Sequence, residues 1–204
     1  RSAVLPQSTA GRITSRIIFF LLFAYLVIVG SLAWAQAFPD AEVHGLDCGA
    51  GMVRYAHARA RNLGIPAHFS QQNAEKTDFL DDHFDVVVSH IMLHETSASA
   101  LENVIRESRR ILKPGGVMMH LDLPRNQGMK PFDSFLMDWE AYNNNETFLV
   151  RLRDMDWKKV AVAAGFKPNK CKIDGSMMHI AREMLKAGQK PHYATKFPIL
   201  VGRK

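Results

Sequence analysis

Residues 84–124 constrain the fold more than any other part of this chain. Residues 84–90 (Phe84, Asp85, Val86, Val87, Val88, Ser89, His90) form a short apolar, β-branched run that ends on polar groups. Such a run reads as a strand buried on both faces. Leu101, Val104, Ile105, Ser108, Ile111 and Leu112 follow at helical spacing, and Lys113, Pro114, Gly115 and Gly116 end that helix with residues that cannot continue it. A second strand runs over residues 117–122. Strand, helix, Pro-Gly-Gly turn and strand make half of a doubly wound sheet. In such sheets ligands sit at the carboxyl ends of the strands, where Asp47, Ser89, His90 and Asp122 would lie.

The rest of the chain extends this pattern. Residues 42–46 read as a strand, Gly49, Ala50 and Gly51 as a turn, and residues 52–62 as a helix with Met52, Tyr55, Ala56 and Ala60 on one face. Residues 63–66 stop that helix, and residues 67–71 form a third strand. Loop and helix are expected from Phe132 to about Gly165, and two last strands over residues 166–173 and 197–201, the latter at the sheet edge. At 204 residues the chain suits one domain with a sizeable core.

Composition excludes several function classes. The net charge of +6 is uneven, with no acid before Asp40, and with seven Lys and two Arg against Asp174 and Glu183 after residue 165. These charges are dispersed, with no Arg-rich run and no patch interleaved with aromatics, so they read as a solvated face rather than a nucleic-acid surface. Cys48 and Cys171 make neither a disulfide framework nor a metal knuckle.

Taken together, Asp47, Asn73-Ala74, residues 84–89 and residues 112–116 resemble the class I S-adenosylmethionine-dependent methyltransferases, in the small-molecule branch near those of quinone biosynthesis. The resemblance runs from about Ala33 to Lys204. It implies an α/β, Rossmann-like doubly wound sheet, mostly parallel with an antiparallel C-terminal edge strand. It also implies S-adenosyl-L-methionine as cofactor, a small-molecule methyl acceptor, no nucleic-acid partner and a cytoplasmic setting. By this resemblance the cofactor is held by Asp47, Cys48, Met52, Asn73, Ala74, Ser89 and His90. Asp47 would accept hydrogen bonds from the ribose hydroxyls, Met52 would pack on the adenine, and Asn73-Ala74 would read its amino edge. Asp47-Cys48-Gly49-Ala50-Gly51 imitates the family's first glycine motif, but the interval to Phe84 assigns it to the second strand.

Catalytic residues are not evident, because methyl displacement needs mainly in-line approach and desolvation. His94 is the candidate base for a phenol or amine acceptor. His90 and His94 have the spacing of a helical metal pair, yet Ile91 stands where a zinc hydrolase carries Glu and no third ligand is evident, so no metal is expected. Phe132, Phe135, Trp139, Tyr142, Phe148 and Trp157 are either core or an acceptor wall.

The first 32 residues do not match the family. Counting back places Leu22, Ala24 and Ile28 where it carries an Asp and two glycines. Arg12 and Arg16, the apolar run from Ile17 and the Ala33-Trp34-Ala35 step have the three parts of a signal peptide. Counted through Ala37, the run also reaches roughly the twenty residues of a membrane span. Two readings therefore stand for residues 1–32, an altered first strand and helix or a signal or anchor, ahead of a methyltransferase domain over residues 33–204. The alternative function is a degenerate, non-catalytic binding module, membrane-anchored through residues 17–37.

Overall fold

The computed structural model describes residues 16–20, 24–177, 179–188 and 196–204. In chain order its elements are β1 (Arg16–Phe20), α1 (Ala24–Ala37), β2 (Glu42–Asp47), α2 (Ala50–Leu63), β3 (His68–Gln71), β4 (Phe84–His90), α3 (Ala98–Ile111) and β5 (Leu112–Leu121). There follow α4 (Pro131–Asn143), α5 (Leu149–Asp154), α6 (Trp157–Ala163), β6 (Cys171–Met177), α7 (His179–Lys186) and β7 (Lys196–Arg203). The strands form one sheet in the order β3-β2-β1-β4-β5-β7-β6. Pairing is parallel from β3 across to β5, and antiparallel on both sides of β7. The expected mostly parallel sheet with a reversed C-terminal strand is what forms. That strand lies one place in from the edge, because β6 bonds along its outer side.

Register positions the site. Phe20 of β1 faces Leu46 on one side and Ser89 on the other. Asp47 and His90 are each the next residue, so they stand level with one another at the carboxyl edge, with the end of β1 between them. The apolar run that read as either an export segment or a strand supplies this central strand and the helix after it. No helix among the described residues is long and apolar enough to cross a membrane.

Both faces of the sheet are covered, which explains the unbroken valines. Val86 and Val88 point into a core with Ile17, Leu32, Val43 and Ala56 beneath α1 and α2. Val87 points the other way, among Leu101, Ile105, Trp157 and Leu200 beneath α3 and α6. Full burial of a side chain of this size stabilises by roughly 1.5–3 kcal/mol. Helix α3 buries Leu101, Val104, Ile105, Ser108 and Ile111, as its spacing predicts, and Ser97 caps it by accepting from the Ala100 amide at 3.2 Å. On α2 the expected apolar face is narrower. Ala56 and Ala60 are buried, whereas Tyr55 is 57% exposed.

Two glycines are required by contacts. Gly45 of β2 lies beneath the Phe69 ring of β3, and a Cβ there would meet that ring at 2.7 Å. Gly115 has φ 84°, a left-handed conformation that favours glycine. It sits where the β4–β5 pairing jumps from Phe84↔Leu112 to Val86↔Val117. The Pro-Gly-Gly segment is thus a bulge inside β5 rather than a turn ahead of it, and α3 has already ended at Ile111.

Candidate active site

The carboxyl edge of the sheet opens into a cleft of about 370 Å³. Cys48, Asn73, Ala74, Met92, Glu95 and Phe148 are among the residues that line it. Three sequence-predicted site residues are therefore brought together there: Cys48 after β2, and Asn73 and Ala74 after β3. The Asn73 side chain accepts from the Glu75 amide at 2.9 Å, and Glu75 accepts from the Asn103 amide group of α3 at 2.9 Å, so this loop is tied to the helix beside it.

Asp47 lies just under the cleft floor between two lining residues, Leu46 and Cys48. It is 3% exposed. Its Oδ1 accepts from the Gly49 amide at 2.6 Å, while Oδ2 is buried without a hydrogen-bond partner among the described residues. Burial raises the Asp47 carboxyl above the usual range, and the Gly49 amide opposes this. A buried carboxylate oxygen without a donor is costly, and it is the acceptor that a sugar hydroxyl would satisfy. That oxygen fits the ribose of the cofactor implied by the sequence, and Asn73-Ala74 in the cleft wall fits its base. The resemblance would give the methionine end to the positions of Leu22, Ala24 and Ile28. Leu22 lies outside the described residues, while Ala24 and Ile28 stand within α1.

Other predicted residues fall elsewhere. Met52, in the first turn of α2, is half-buried and does not line the cleft. The Ser89 side chain does not line the cleft. It is wholly buried and its Oγ is 2.6 Å from Nδ1 of His120, inside the sheet. Side chains alternate along a strand, so Ser89 shares the face of Val87 and turns towards α3, away from the ligand edge. His90 ends β4 half-buried and does not line the cleft either. Burial lowers its imidazole, with Asp122 acting in the other direction. Of the aromatic cluster only Phe148 reaches the cleft. Trp157 is core, while Phe132, Phe135, Trp139 and Tyr142 are each more than half exposed.

The most connected group was not assigned a role from sequence. Asp122, directly after β5, is fully buried. Its Oδ2 accepts from the amides of Met92 and Leu93 at 3.0 and 2.6 Å. Its Oδ1 accepts from the Leu123 amide at 2.7 Å and lies 2.7 Å from His94 Nδ1. The carboxylate thus gathers the short helical turn Leu93–Glu95 onto the end of β5. Because Asp122 can only accept, His94 carries its hydrogen on Nδ1, and Nε2 is turned out towards Glu95 Oε1 at 3.4 Å and Glu146 Oε2 at 4.0 Å. Burial alone would lower the His94 imidazole; the Asp122 bond and charge, with Glu95 and Glu146, outweigh it and raise it. Glu95 is raised by burial and by the neighbouring Glu146 and Asp122 charges, against the pull of His94. The chain enters this turn through Ile91 at φ 53°, a strained conformation for a β-branched residue. Its amide bonds the Leu121 carbonyl at 2.8 Å, which helps to hold it there. The one signal available in sequence was Asp122 at a strand end.

Comparison with known proteins follows the same lines. A family model described as Methyltransferase domain matches residues 29–116, beginning beyond Leu22, Ala24 and Ile28. The ubiquinone/menaquinone biosynthesis C-methyltransferase UbiE of Pseudomonas savastanoi pv. phaseolicola is 33% identical over 121 residues, covering 54% of this chain and 46% of the relative. The chain therefore spans less than half the length of that relative. The YcgJ protein of Bacillus subtilis superposes with a TM-score of 0.63 at 19% identity, over 94% of this chain and 92% of the other. A phosphoethanolamine N-methyltransferase of Haemonchus contortus, solved with S-adenosylhomocysteine, gives a TM-score of 0.67 at 14% identity, over 96% of this chain and 50% of the other. At these identities the structural likeness speaks to the fold. The domain match, the curated relative and the strand order together support a class I S-adenosylmethionine-dependent methyltransferase as what this chain is similar to.

Proposed function

We propose that the cleft at the carboxyl edge binds S-adenosyl-L-methionine and that the chain transfers its methyl group to a small-molecule acceptor. The observation that carries this reading is Asp47, whose Oδ2 is buried without a donor among the described residues at the end of β2. A ribose hydroxyl supplies that donor. Asn73 and Ala74 form the adenine side of the same cleft, and its volume of about 370 Å³ is within the ordinary range of ligand sites. When bound, the cofactor supplies an electrophilic methyl group on a sulfonium. Glu95 and Phe148 wall the cleft at the end where an acceptor would enter. His94 is the residue best built to take a proton from a phenol or amine acceptor, since Asp122 holds Nδ1–H and leaves Nε2 to accept.

In this reading the apolar segment of residues 17–37 is the central strand and first helix of the domain, not an export signal or anchor. Its support is the parallel pairing of β1 with β2 and with β4. A cytoplasmic setting belongs to the same reading, and carbonate extraction of membranes tests it by leaving the chain in the soluble fraction. Calorimetric titration with S-adenosylhomocysteine tests the function itself. The expected result is saturable one-to-one binding that weakens about 10- to 100-fold in Asp47→Asn, the equivalent of a charged hydrogen bond of about 1.5–3 kcal/mol. Absence of heat at high protein concentration would reject cofactor binding and leave a non-catalytic module of the same fold.

A further inference from the structure

We infer that His94, Glu95 and Glu146 form a binding site for one divalent cation of the Mn²⁺ or Zn²⁺ type beside the cleft, whose wall includes Glu95. The three side chains come from two separate segments, the turn after β4 and the loop after α4, and one ligand atom from each lies within 4.8 Å of the others. Nε2 of His94 is 3.4 Å from Glu95 Oε1 and 4.0 Å from Glu146 Oε2. Metal bonds of about 2.0–2.2 Å leave neighbouring ligand atoms roughly 3.0–3.5 Å apart, so the His94–Glu95 spacing already fits, and Glu146 has to swing in by roughly 0.5–1 Å to complete the set. Its side chain is 24% exposed and has room to do so.

Two further observations point to a cation rather than to a chance acidic group. First, the histidine is already arranged as metal-bound histidines are. It is 97% buried, its Nδ1–H is given to the buried Asp122 carboxylate, and Nε2 is the atom aimed at the two glutamates. A carboxylate that orients and enriches the imidazole in this way is the usual outer partner of a metal-ligating histidine. Second, the charges match. With the imidazole neutral, as metal ligation requires, the two carboxylates carry two negative charges, which one divalent ion neutralises. Asp122 does not need the ion, because backbone amides and His94 already satisfy it.

Three protein ligands leave coordination positions open. Glu95 lines the cleft, so these positions face the space where a ligand oxygen or a water would sit. Nε2 has a single lone pair, so proton and metal are alternatives at this atom, and in the loaded form an ion replaces the imidazole as the group that polarises the acceptor. The donors stand whether or not the cleft takes a nucleoside cofactor, so the inference does not depend on the methyl-transfer reading.

The test is titration of the chelator-stripped chain with Mn²⁺, with the free ion followed by electron paramagnetic resonance. One ion per chain is expected. Glu95→Gln and Glu146→Gln should each weaken binding at least tenfold, since an amide is a poorer ligand than a carboxylate. Pulsed spectra of the bound ion should carry nitrogen coupling from the imidazole, absent in His94→Ala. If His94→Ala fails to fold, the two Gln variants and the coupling in the unaltered chain decide the matter. No saturable binding at millimolar Mn²⁺, binding unchanged in both Gln variants, or a bound ion without nitrogen coupling would each overturn the site. Titration of the same samples with S-adenosylhomocysteine separates the two readings. Cofactor binding without Mn²⁺ binding rejects the metal alone.

Discussion

Asp47 has two oxygens with unequal fates, one bonded to the Gly49 amide and one buried without a donor among the described residues. In the ligand-free chain the second is a cost, so Asp47→Asn should leave the melting temperature unchanged or raise it while weakening S-adenosylhomocysteine. Scanning calorimetry of the variant checks this, and a fall of several degrees would make Asp47 a structural residue instead. Gly45 carries the opposite expectation. Gly45→Ala drives a Cβ to 2.7 Å from the Phe69 ring, and overpacking of this kind costs about 1–3 kcal/mol in denaturant unfolding. At this scale the sequence pointed to Asp47, Cys48, Asn73 and Ala74 because each ends a strand or lies within three residues of one, and the last three do line the cleft. It missed the orientation of Ser89, although the alternation from Val87 already turned it towards α3. The His94–Asp122 pair was out of reach, since the two are 28 residues apart and meet only through the sheet.

Elements β4, β5 and α3 are joined by two buried polar links, and each makes a prediction. Asp122 fastens the turn after β4 to the end of β5 with three hydrogen bonds of 3.0 Å or less. Asp122→Ala strands those donors, which costs about 3–5 kcal/mol. For a chain of this size the melting temperature should fall by roughly 6–20 °C. His120 is the second link, between Ser89 of β4 at 2.6 Å and Ser108 of α3 at 3.3 Å. Ser108 donates its own hydrogen to the Val104 carbonyl, so it accepts from Nε2–H, and Nδ1 accepts from Ser89. Burial holds this imidazole neutral and pushes its pKa down to about 3. The unfolded chain takes up that proton near pH 6.5, so it binds more protons than the folded one from there down to about pH 3. Stability therefore falls as pH drops through this window, by up to about 1.4 kcal/mol per pH unit from this group. Urea unfolding from pH 7 to 4 should show that slope and lose it in His120→Gln. Strand and helix identities were legible from valine runs and helical spacing. The order of the last two strands was not, because insertion of β7 between β5 and β6 depends on pairing across distant parts of the chain.

Across the whole molecule, the doubly wound sheet places every parallel strand end on one edge, and that single consequence assembles the cleft. Ligand binding should register globally. S-adenosylhomocysteine at a hundred times its dissociation constant adds about 2.7 kcal/mol, which is a rise of about 5–10 °C in melting temperature. The amino-terminal stretch was the part least legible in advance, since a central strand buried on both faces has the same composition as a membrane segment. Pairing partners separate the two, and they are not local properties.

The proposed cleft stands or falls with Asp47 accepting hydrogen bonds from sugar hydroxyls. Its most direct test compares S-adenosylhomocysteine with its analogue lacking both ribose hydroxyls, on the unaltered chain and on Asp47→Asn, by calorimetric titration. Removing the hydroxyls should weaken binding to the unaltered chain about 10- to 100-fold and to the variant hardly at all. An equal loss in both proteins would contradict it.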